Sequence, residues 1–101
     1  MRMRPNGFEQ LESEILAEQA AALGRIGRRL EADIAELLEL RAEIRRPGAP
    51  VPALQERYRG LLREARRQLW VLMVQREALG FRRNDELAAI YRIPPPLSKS
   101  A

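Results

Sequence analysis

The sequence predicts an all-α protein: an antiparallel helical hairpin of two long helices plus a short C-terminal helix, closing into a four-helix bundle as a dimer. Three observations lead there. Apolar residues recur at helical spacing over two long stretches. A six-residue breaker, Pro47-Gly48-Ala49-Pro50-Val51-Pro52, separates them, and a loop that short makes its helices antiparallel neighbours. No stretch reads as a strand or as an internal repeat.

Residues 1–7 read as a flexible basic leader, 8–93 as one helical domain and 94–101 as a Pro-rich extended tail. The first helix is predicted over about 8–46. Asn6 is a candidate cap, with Glu9 three residues on completing a capping-box pattern. Glu9, Glu12 and Glu14 crowd the first turns, where the helix dipole favours acids. The apolar rhythm Phe8, Leu11, Ile15, Ala22, Leu23, Ile26, Leu30, Ile34, Leu37, Leu40, Ile44 has a mean spacing near the helical period. Arg41, Arg45 and Arg46 suit the C-terminal turn, and Pro47-Gly48 stops the helix. Such a helix spans about 58 Å, too long for a compact monomer.

Pro52 fits the first turn of a second helix over about 52–79. Its rhythm is Leu54, Tyr58, Leu61, Leu62, Ala65, Leu69, Leu72, Met73, Leu79, and Gly80 is a natural terminator. Phe81-Arg82-Arg83 turns the chain. Asn84 then caps a short third helix through about Tyr91, with Asp85 and Glu86 in its first turn. Pro94-Pro95-Pro96 ends helix formation, and Leu97 to Ala101 are expected to fray.

Folding about the breaker pairs Ile44 with Leu54, Leu37 with Leu61 and Leu30 with Leu69, and sets Gly24 and Gly27 opposite Trp70 to Val74. A mid-helix glycine costs about 1 kcal/mol relative to alanine. The expectation is that the Trp70 indole nests against Ala20, Gly24 and Gly27 and offsets that cost. The run Leu69-Trp70-Val71-Leu72-Met73-Val74 points in every direction around helix two, and a helix apolar all round is buried all round. The predicted interface is therefore Gly24, Gly27, Trp70, Leu72, Met73 and Val74, covered by a second copy or by an unidentified protein partner. Leu11, Ile15, Phe81, Ile90 and Tyr91 are expected to cluster where helix one outruns helix two.

Composition narrows function. The chain has no cysteine, histidine or threonine, so disulfides, thiolate metal sites and His-based nucleophile systems are excluded. Glu14 and Glu18 lie one helical turn apart, but bundle metal sites pair Glu with His. No metal, cofactor or enzymatic activity is expected. No apolar run approaches the roughly 20 residues a bilayer requires, and no signal peptide follows the basic start; a soluble cytoplasmic protein is expected.

The net charge of +4 invites a nucleic-acid reading. Arg59, Arg63, Arg66 and Arg67 form a stripe on helix two, the candidate phosphate-tracking surface. The stripe lacks interleaved aromatics, and a solvated face paired with the carboxylates of helix one explains it as well. Glu36, Glu39 and Glu43 lie about level with Arg57, Arg59 and Arg63. A nucleic-acid role is carried as the alternative.

The strings Leu11-Glu12-Ser13-Glu14-Ile15-Leu16-Ala17-Glu18 and Ala22-Leu23-Gly24-Arg25-Ile26-Gly27-Arg28-Arg29-Leu30-Glu31, with Trp70, Gln75-Arg76-Glu77 and Tyr91-Arg92-Ile93-Pro94, resemble an uncharacterised family of roughly 100-residue bacterial helical proteins, a domain of unknown function. The resemblance covers residues 8 to about 97. It implies a bacterial soluble protein and carries no ligand or catalytic residue.

Overall fold

The computed structural model describes residues 7–81 and 85–98. Residues 1–6 of the expected leader 1–7, the caps Asn6 and Asn84, the turn residues Arg82 and Arg83, and the tail from Lys99 lie outside the described residues, whereas Gly7 already belongs to the first helix. Three helices follow one another: α1 (Gly7–Ile44), α2 (Val51–Ala78) and α3 (Asp85–Ile90). α1 runs unbroken through Gly24 and Gly27 for 38 residues. The result is a rod of 72 × 22 × 18 Å with a radius of gyration of 19.4 Å, against about 13 Å for a compact chain of this length.

The ends of the helices follow from local chemistry. After Ile44 the chain tightens: the Arg45 and Arg46 amides donate to the carbonyls three residues back, at Ala42 and Glu43. This is why α1 closes at Ile44 rather than at Arg46. Gly48 then takes a left-handed conformation, φ 78°. α2 has Pro50 at its N-cap and no side-chain cap. Its C-terminus is a Schellman motif: the Phe81 amide donates to the Arg76 carbonyl at 2.9 Å and the Gly80 amide to Glu77 at 3.0 Å, with Gly80 at φ 94°.

The hairpin core is built from Leu30, Leu37 and Leu40 of α1 and Tyr58, Leu62 and Ala65 of α2. Ile34, Leu54, Leu61 and Leu69 pack against it, in the register expected from folding about the breaker. Leu30, Leu37 and Tyr58 are the largest fully buried side chains. One polar layer crosses the hairpin: buried Gln68 donates to Asp33 at 2.9 Å and to Glu64 at 3.2 Å. Of the expected level charge pairs, Glu36 accepts from Arg57 (Nε at 3.1 Å). Arg59 instead pairs along its own helix with Glu56, at 3.7 Å.

The C-terminal segment corrects the sequence reading. Residues 92–98 are extended, and they form a strap along the hairpin. Pro94 is buried, and Tyr91, Ile93 and Leu97 pack on the core, so fraying does not begin at Leu97. The Tyr58 hydroxyl donates to the Pro95 carbonyl at 2.7 Å. Arg41 Nη1 donates to the Tyr58 oxygen at 3.3 Å and lies 3.5 Å from the same carbonyl. A proline-rich segment has few amide donors of its own, so it docks by its carbonyls and rings.

Candidate functional site

Trp70 does not nest on the glycines of α1. It is 64% exposed. The side of α2 that meets the core carries Ala65 and Leu72, and Trp70 lies about 140–160° around the helix from both. The close approach at Gly27 belongs to Tyr91, because a Cβ added there would sit 2.5 Å from the Tyr91 hydroxyl oxygen. Gly27 is therefore buried beneath the first residue after α3. At Gly24 the near neighbour among the described residues is Arg28 of the same helix.

The other predicted interface residues divide. Leu72 is buried inside the chain, 4% exposed, and Met73 is half-buried. Val74, one turn beyond Trp70, is exposed. Trp70 and Val74 continue outward a stripe that begins with Arg59, Arg63 and Arg66 at spacings of three to four residues. Arg67 is held by Glu64, Nη2 to Oε1 at 2.7 Å and Nε to Oε2 at 3.1 Å. That pair, with the Gln68 amide, lowers the Glu64 carboxyl from 4.5 to about 2. Among the described residues no ion pair or hydrogen bond engages Arg63 or Arg66.

The larger open surface lies at the far end of the rod. From Gly7 to Ala21 every residue of α1 is exposed, a length of about 22 Å. The helix continues there past the end of α2. Phe8 is 73% exposed, Leu11 55%, Leu16 54% and Ile15 47%. Phe8, Leu11 and Ile15 extend the apolar rhythm that, further along, packs against α2. With Leu16 and Glu12 they line a shallow open groove. The expected cluster of Leu11, Ile15, Phe81, Ile90 and Tyr91 does not form. Phe81 stacks under Arg76, 4.8 Å from guanidinium carbon to ring centroid, Tyr91 occupies the Gly27 notch, and Ile90 is 68% exposed.

The sequence reading did not foresee that Phe8, Leu11, Ile15 and Leu16 would stand exposed together. The signal was present: two helices of unequal length joined by a short loop leave the longer one bare at its far end. Glu14 and Glu18 sit on this same bare segment and are exposed.

These features define an all-α, rod-shaped hairpin protein with open apolar surface on one helix end and on the outer side of the second helix. The chain belongs to a family of unknown function, DUF6665, matched over residues 1–99. No curated protein and no solved structure matches it. No helix among the described residues is long and apolar enough to cross a membrane.

Proposed function

We propose that this chain is a non-enzymatic helical interaction module that self-associates through its exposed apolar surface, working in the cytoplasm as a homodimer. The observation that carries this reading is the bare end of α1. An isolated helix of about 15 residues is marginal in water, and this one presents Phe8, Leu11, Ile15 and Leu16 exposed, with no other element among the described residues covering them. Contiguous exposed apolar patches of this kind mark interaction sites. Trp70, the residue type most enriched among interface anchors, is exposed on the same molecule.

Gel filtration with light scattering tests the reading. The expected result is a dimer at micromolar concentration that Leu11→Glu with Ile15→Glu converts to a monomer of unchanged helicity. A wild-type chain that stays monomeric would remove the proposal.

A nucleic-acid role has one observation in its favour: exposed Trp70 lies in line with the unengaged Arg63 and Arg66, which supplies an aromatic beside the basic stripe. Against it, Arg59 and Arg67 already pair with Glu56 and Glu64. Retention on immobilised duplex DNA or RNA that falls steeply with salt, and that Arg63→Glu with Arg66→Glu abolishes, is its test.

A further inference from the structure

Charge is segregated along the rod. Between Gly7 and Gly24 the chain carries Glu9, Glu12, Glu14 and Glu18 and no basic residue; the first arginine inside α1 is Arg25. Among the described residues Glu12, Glu14 and Glu18 make no ion pair. The outer stripe of α2 has the opposite character, with unengaged Arg63 and Arg66 leading into exposed Trp70 and Val74. One surface is apolar and acidic, the other apolar and basic. They sit on different helices, face the same way, and cannot meet within one chain. The bare face of α1 looks toward the line on which α2 would continue, and the α2 stripe looks away from α1.

We propose that two copies associate about a two-fold axis normal to the long axis of the rod, each seating its acidic α1 end, through Phe8, Leu11 and Ile15, on the Arg66–Trp70–Val74 stripe of the other's α2. This rests on the self-association proposed above and specifies its geometry. The two-fold reverses α1, and α2 is already reversed within each hairpin, so each bare end runs parallel to the α2 it covers. Both unpartnered surfaces are covered twice by one operation, which is the self-complementarity a closed dimer requires. A two-fold axis parallel to the rod sets the two acidic ends side by side instead, and like charges brought together across an interface oppose association.

The chain's lack of cysteine makes the geometry directly readable. Full-length chains carrying Ile15→Cys and Val74→Cys, level with each other in this parallel pairing, are mixed and mildly oxidised. A crosslink between the two different variants is expected, with little between identical ones. In parallel, light scattering follows Glu12→Arg, Arg66→Glu, and the chain carrying both, the two side chains lying within one helical turn of each other across this interface. Each reversal alone is expected to raise the dimer dissociation constant about tenfold or more, and the combined chain to recover most of that loss. Circular dichroism checks that each variant keeps its helicity. A dimer that ignores the reversals and crosslinks Ile15→Cys to Ile15→Cys overturns this geometry while leaving self-association standing. A wild-type monomer at micromolar concentration overturns both.

Discussion

Replacing Tyr58 by phenylalanine tests how the strap is held. The ring is fully buried and its shape is conserved by the change, so its place in the core cluster survives. What disappears is the hydroxyl that donates to the Pro95 carbonyl at 2.7 Å and accepts from Arg41 at 3.3 Å. The carbonyl keeps only the longer approach of Arg41, 3.5 Å. A hydrogen bond of this type contributes about 0.5–1.5 kcal/mol net. A loss near 1 kcal/mol raises the population of strap-open molecules about fivefold. Arg92 is exposed and begins the strap, so trypsin cleavage after Arg92 reports that population when closing outpaces cleavage. Mass spectrometry of the first cut is expected to show roughly fivefold faster loss of the C-terminal peptide. An unchanged rate in Tyr58→Phe would show that the hydroxyl does not hold the strap.

The remaining predictions concern the hairpin. Leu30→Ala empties a fully buried position and is expected to cost about 2–5 kcal/mol in urea unfolding. Gly48→Ala places a side chain at φ 78° and is expected to destabilise by about 1 kcal/mol, a clear fall in the urea midpoint. Glu64 is held at about 2 in the folded chain, below its ordinary 4.5, so its stabilising contribution is complete above about pH 4.5 and disappears as pH falls toward 2. Urea midpoints measured across that window are expected to drop with acidification less steeply in Glu64→Gln than in wild type.

The two long helices were legible because their apolar spacing is regular and their punctuation is strong. Pro47-Gly48 and Gly80 end helices where expected, and the hairpin register follows from a loop too short to allow another. The place of Trp70 was not legible. It sits in a run of six apolar residues, and a run apolar on all sides carries no direction; only the better-spaced Tyr58, Leu62, Ala65 and Leu72 show which side of α2 is inside. Gly27 correctly signalled a close approach, but a glycine specifies the space and not the ring that fills it. Tyr91 comes to it from beyond α3, a distance in sequence that periodicity does not reach. The three prolines were read as the end of structure. Proline ends helices, yet its carbonyl still accepts a hydrogen bond, and a buried tyrosine facing that carbonyl converts the terminator into a packed segment.

The strap also sets the polarity of the molecule. Leu97 and Ser98 finish beside Arg41, Ile44 and Arg45, next to the turn between the long helices, whereas Gly7 stands at the other pole, the whole of α1 away, about 57 Å. A dye or affinity handle joined after Ser98 therefore sits far from the acidic tip and leaves it accessible, while one joined before Gly7 crowds the tip itself. Pull-downs using the two placements should recover different binding companions from the same lysate.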